Sequence, residues 1–140
     1  MPAKLDDSRV RDTEILFRLV PPLPSTARRN PQTQIIEITS SVFHTSALSA
    51  LRLSEIDFLV AKAADSVLNR PAKPDYGVAV FSAEFVRHSL GCIVCIEDVS
   101  EFSANSHVGI YADVGGKALS GRQYKILTVA AHLALPPNIP

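Results

Sequence analysis

His44 stands at the end of an apolar run and is followed directly by the hydroxyls of Thr45 and Ser46, while His107 occupies a similar setting in "SHVGIYAD". Two imidazoles can divide general acid and general base work between them, and neighbouring hydroxyls can donate to phosphate oxygens. This pattern makes His44 and His107 the candidate catalytic pair, with Thr45 and Ser46 as ligand contacts. Tyr111, on the same stretch as His107, and Lys117, in "ADVGGKALSG", complete the candidate ligand set. Gly115 and Gly116 lead toward a helix start, where free amides favour an anion and Lys117 adds charge. The spacing is not that of a nucleotide P-loop, and no cofactor is expected. Each histidine also has a structural reading, as a half-buried ring at a strand end for His44 and His107, as an exposed ring for His88, and as a ring in the last turn of the closing helix, favoured by the helix dipole, for His132.

The triplet His44-Thr45-Ser46 resembles the histidine-x-hydroxyl motif of the two-histidine phosphoesterases, which hold a phosphate between imidazoles and hydroxyls on neighbouring strands. The second copy departs from the pattern, since Val108 and Gly109 follow His107 where a hydroxyl is required. "FHTS" and "GIYAD" together resemble the histidine and tyrosine elements of ADP-ribosyltransferases, which clamp a nicotinamide cofactor. That fold adds a later glutamate, and no glutamate follows Tyr111 here, so the resemblance implies nucleotide binding without turnover.

Cys92 and Cys95 form a C-x-x-C pair, but Ile93 and Val94 between them place the pair in a strand. Positions three apart on a strand point to opposite faces, so the sulfurs diverge and are expected to be core thiols rather than metal ligands. No metal site is expected.

The elements that must position these residues follow from periodicity. Residues 14–20 alternate Ile15, Phe17 and Leu19 against Leu16, Arg18 and Val20, which predicts a strand with a free edge. "PPLPSTARRNPQ" holds four prolines in twelve residues and reads as an exposed loop with Arg28 and Arg29 at its tip. An extended segment then runs to His44. From Ser54, the apolar residues Ile56, Leu59, Val60, Ala63, Val67 and Leu68 recur at three and four, which predicts the main helix with Ser54 as its cap. Residues 76–81 read as a short strand, and "SAEFVRHSLG" as a brief helix opened by Ser82 and closed by Gly91. "CIVCIED" and "HVGIYAD" are further strands, and residues 119–135 form a closing helix stopped by Pro136 and Pro137.

The sum is an α+β chain: a charged, mobile arm over residues 1–13, then a single domain over 14–140 with a mostly antiparallel or mixed sheet of about five strands covered by two main helices. At 140 residues it can bury a self-sufficient core, and 46% hydrophobic residues exclude a disordered chain. Fourteen basic and fourteen acidic residues cancel, which gives no overall positive field for nucleic acid or anionic lipid. The start lacks an apolar export segment and no apolar run reaches the roughly 18 residues of a membrane span, so a cytoplasmic location is expected.

Two functions remain open on these grounds. One is a binding module without catalysis, acting on a partner protein or as a homo-oligomer through a sheet edge at residues 14–20. The other is a small enzyme for a phosphorylated or nucleotide substrate, with His44 and His107 as acid and base, Thr45 or Ser46 on the phosphate and Lys117 supplying charge.

Overall fold

The computed structural model of the chain describes residues 3–67, 69–97 and 105–139. Leu68, assigned above to the main helix, and Asp98, at the end of "CIVCIED", lie outside them. In chain order the strands are β1 (Ile15–Val20), β2 (Ala27–Arg29), β3 (Ile36–Ile38), β4 (Leu48–Arg52), β5 (Gly77–Ser82), β6 (Ile93–Ile96), β7 (His107–Tyr111) and β8 (His132–Leu135). The helices are α1 (Phe58–Lys62) and α2 (Gly121–Ala130). Six strands form one antiparallel sheet in the order β6-β7-β4-β1-β5-β8, and β2 and β3 pair as a small separate sheet.

This is a mainly antiparallel α+β domain, with less helix than the sequence pattern suggests. β1 is not an edge strand. It pairs with β5 over its whole length, from Ile15↔Ser82 to Val20↔Gly77, and with β4 at Leu16↔Arg52 and Phe17↔Leu51. Strict alternation lets its two sides serve two cores. Leu16 and Val20 join Phe43, Ala79, Val108 and Leu127 on the face that carries α2. Phe17 joins Leu51, Ile56, Ala61 and Val78 on the other, where Phe58 of α1 meets the Phe17 ring edge-on at 4.9 Å.

The main helix expected from Ser54 shrinks to five residues. Asp57, not Ser54, caps it by accepting from the Val60 amide, and the Ser54 hydroxyl instead donates to Glu14. Ala63 turns extended, and Asp65 and Arg70 then close a loop through reciprocal backbone bonds. The brief helix keeps its expected ends: Ser82 Oγ accepts from the Phe85 amide, and Gly91 takes a φ of +70° that L residues rarely adopt. α2 opens with a reciprocal cap between Ser120 and Gln123. It stops earlier than residue 135, because Ala131 turns extended and His132–Leu135 pair with β5 as β8. His132 therefore opens a strand rather than ending a helix. The proline-rich stretch is also more ordered than a loop, since Ala27, Arg28 and Arg29 pair with Ile38, Glu37 and Ile36.

The arm expected to be mobile is docked along the outer side of β6. The Asp7 amide donates to Val94 O, and Asp6 Oδ1 accepts from the Val94 amide, so the arm occupies both backbone groups of an edge residue. Val10 is fully buried in the main core. No helix among the described residues is long and apolar enough to cross a membrane.

Candidate functional site

His44 follows a helical turn at Ser40–Val42, and its amide donates to Ser40 O at 3.1 Å. Its ring is exposed and stacks on Tyr124 of α2, with centroids 4.5 Å apart and planes 8° from parallel. His107 begins β7 directly opposite Leu51, a residue of the second core. The two imidazoles thus lie on opposite sides of the sheet. Parity explains it: Val108 and Ile110 fill the main core under α2, so His107, Gly109 and Tyr111 must face away from it. The acid–base pair expected from sequence is not assembled, and the nicotinamide clamp fails likewise, because Tyr111 shares the face of His107 and not that of His44. Thr45 and Ser46 follow His44 in the segment before β4.

The glycine loop is consumed by its own carboxylate. Asp113 Oδ1 accepts from the amides of Gly115 and Lys117, and the Ala112 amide closes the turn on Lys117 O. The amides expected to receive an anion are therefore bonded to Asp113, and the Lys117 side chain is exposed.

Tyr111 belongs to a clasp instead. Its hydroxyl donates to Glu97 Oε2, which also accepts from Lys4 Nζ at 3.1 Å, and Lys4 Nζ lies 4.9 Å from the Tyr111 ring centre. Burial pushes the Glu97 carboxyl up, but the bonds from Tyr111 and Lys4 outweigh it and hold it below its ordinary value. Burial, then the Glu97 carboxylate, push the Tyr111 phenol up. Neither group is tuned toward proton transfer near neutrality. Their position ties Lys4 of the arm across β6 and β7.

Gly109 is what lets Glu97 fold back. A Cβ at Gly109 would stand 2.3 Å from Glu97 Oε1 and 2.8 Å from the Tyr111 ring. Gly109→Ala is expected to lower stability by about 1–3 kcal/mol, the usual range for overpacking, as read by the urea midpoint. A midpoint equal to that of the parent chain would show that Glu97 is not held there.

Cys92 packs in the main core, whereas the Cys95 thiol meets Leu5 O of the arm, so the two sulfurs diverge as the strand period requires. Burial pushes the Cys92 thiol up to about 11, and burial followed by Glu97 raises Cys95, which keeps both as thiols. Among the described residues no group of three or more His, Cys, Asp or Glu side chains is placed to hold a metal ion.

The groups that do converge were only partly visible in the sequence. The β1–β4 ladder stops after Phe17↔Leu51, and Arg18 fills the opening. Its Nε donates to Val42 O at 2.8 Å, and its Nη1 donates to Ser49 O at 2.8 Å and Ser49 Oγ at 3.3 Å. Beside it lies a cleft of about 210 Å³ whose polar lining is Arg18, Ser49, Lys73, Tyr76 and His107. The signal was Arg18 itself, a charge in the middle of an apolar strand. Lys73 and Tyr76 gave none, because only tertiary folding brings them beside β1 and β4.

A second concavity, of about 430 Å³, runs beside β8 and is lined by Arg29, Ile35, Ile36, His132, Leu133 and Pro136. Here the sheet ends: among the described residues no strand pairs with the outer side of β8. Fold and sites together define an antiparallel α+β domain with one sealed sheet edge, one open edge and a cationic cleft. Comparison with protein-family models, curated proteins and solved structures gave no match.

Proposed function

We propose that this chain acts by binding, without catalysis of its own, and that it associates through β8 with a second copy of itself. The observation that carries the reading is the asymmetry of the two sheet edges. β6 is blocked by the docked arm, whereas β8 is left with a groove alongside it. Unpaired strand amides and carbonyls template another strand, and the groove offers Ile35, Ile36 and Leu133 to its side chains. Pairing of two β8 strands is isologous and closes as a dimer. A cytoplasmic setting belongs to the same reading, in which both cysteines stay reduced.

Ile35 provides the test, because it is 62% exposed and its replacement leaves the core untouched. Sedimentation velocity over a range of micromolar concentrations is expected to show a monomer–dimer equilibrium for the parent chain. Ile35→Lys is expected to shift it to monomer, with unfolding stability unchanged to within about 0.5 kcal/mol. A parent chain that stays monomeric at the highest concentrations would refute association through β8, as would an Ile35→Lys variant that dimerises equally well.

A further inference from the structure

We propose that the cleft between β1 and β4 is a binding site for a small oxyanion carrying an apolar body, such as an aryl phosphate or aryl carboxylate. The first support is charge. Among the described residues Arg18, Arg52 and Arg87 each place the guanidinium against residues more than twenty positions away in sequence, and two of these three are neutralised. Arg52 lies against Glu14, and Arg87 lies against Asp6 and Asp12. Arg18 differs. Its Nε and Nη1 are held by the carbonyls of Val42 and Ser49 and by the Ser49 hydroxyl, all of them neutral. Among the described residues no carboxylate bonds it and no acceptor takes Nη2. A desolvated cation without a counter-charge is costly, and an anion beside it offsets that cost.

The second support is convergence. Lys73 lines the same cleft, with Nζ 5.3 Å from the centre of the Tyr76 ring, and Ser49, Tyr76 and His107 add polar groups, while among the described residues no Asp or Glu lines it. Phe17, Leu19 and Leu51 form the apolar part of the wall. The volume of about 210 Å³ lies below the roughly 300–1,000 Å³ of sites for drug-sized ligands, which limits the occupant to one charged head and one small ring or short chain.

A purely structural role for Arg18, bridging the open ladder, uses its Nε and Nη1 and gives Lys73 no part. Lys73 therefore separates the two accounts. Titration of the full chain, observed through backbone amide NMR shifts at fixed ionic strength, uses phenyl phosphate, benzoate, inorganic phosphate and phenol as probes. Saturable shifts are expected at Arg18, Ser49, Lys73, Tyr76 and His107 with phenyl phosphate or benzoate, and whichever binds more tightly identifies the head group. Inorganic phosphate is expected to bind at least tenfold more weakly, and phenol to give no saturable response. Lys73→Met is expected to weaken the tighter aryl anion at least tenfold while leaving the thermal midpoint in place. The proposal is overturned if the shifts map to Arg28 and Arg29, if phenol binds as well as the anions, or if Lys73→Met binds like the parent chain.

Discussion

Arg52→Met is expected to cost the fold about 3–5 kcal/mol, the range seen when one partner of a buried ion pair is removed and the other is left behind. The side chains of Arg52 and Glu14 are only 7% and 11% exposed, and the pair is bidentate, with Nε and Nη2 each 2.8 Å from a carboxylate oxygen. Arg52 also donates from Nη1 to Asn105 O and from Nη2 to Arg9 O. One guanidinium thus joins the end of β4, the approach to β1, the approach to β7 and the arm. Methionine fills similar space but leaves Glu14 desolvated without its cation.

The pH dependence carries a second signature of the same pair. In the parent chain burial pushes the Glu14 carboxyl up, but the bonds from Arg52, the Arg11 amide and the Ser54 hydroxyl outweigh it and hold its folded pKa below the ordinary value for a glutamate. That contribution is fully present above the unfolded carboxyl pKa and is lost as pH falls through the folded one. With Arg52 gone, its lowering influence is lost while the burial that raises Glu14 remains, and the folded pKa is expected to rise above the unfolded value. Stability from this group is then lost as pH rises through the unfolded pKa to the raised folded one. Urea midpoints measured from pH 3 to pH 7 should therefore diverge between parent and Arg52→Met as pH rises. Parallel curves would show that Glu14 and Arg52 do not interact in solution. Adding Glu14→Gln to Arg52→Met is expected to recover part of the loss, since it removes the stranded charge.

Strand periodicity made the centre of the sheet legible. Residues 15–20, 92–97 and 107–111 alternate because Leu16, Val20, Cys92, Val94, Val108 and Ile110 fill the main core while their neighbours face away from it. Residues 77–82 were legible instead as a short apolar run buried on both faces, with Ala79 and Phe81 in one core and Val78 in the other. β4 escaped notice because "LSALR" is built of alanine, serine and leucine, with little β preference of its own, and owes its conformation to β1 and β7 on either side. β8 was hidden inside a helical stripe for the same reason, since "HLAL" suits either state until β5 offers it hydrogen bonds. The helix from Ser54 shows the opposite error. Its three-and-four spacing is real, yet Leu59 and Val60 remain largely exposed, and the loop closed by Asp65 and Arg70 replaces the later turns.

The site was less legible than the fold, and the reason is geometric. Whether His44 and His107 meet depends on which side of the sheet the segment before β4 takes, and nothing local to either residue encodes that choice. The divergence of Cys92 and Cys95 needed only the strand period, so it could be read directly. Arg18 lies between these cases: its place in an apolar strand was evident, but its neutral partners and the cleft it shares with Lys73 are set by tertiary packing.

Arg87→Leu is expected to release the arm from β6, at a cost of about 2–3 kcal/mol. The Arg87 side chain is 10% exposed and spends its donors on the arm: Nε on Asp6, Nη1 on Asp12 and Val10 O, and Nη2 on Asp7 O. Hydrogen bonds to charged groups contribute about 1.5–3 kcal/mol each, but these share one side chain, and Asp6 and Asp12 are partly solvated, so the sum is discounted toward one strong bond. Val10 would leave the core, and the Val94 amide and carbonyl would lose Asp6 and Asp7. Amide exchange at Val94 is expected to accelerate at least tenfold while Phe17 and Val78, at the sheet centre, slow or quicken only with global stability. Unchanged protection at Val94 would mean that the arm is held by other contacts. The uncovered strand then becomes a second template for pairing. Arg87→Leu is accordingly expected to form species larger than a dimer, and combining it with Ile35→Lys should remove association through β8 while leaving that through β6. The two edges are thus separable by two substitutions, and a double variant that is wholly monomeric would show that the arm does not guard an edge.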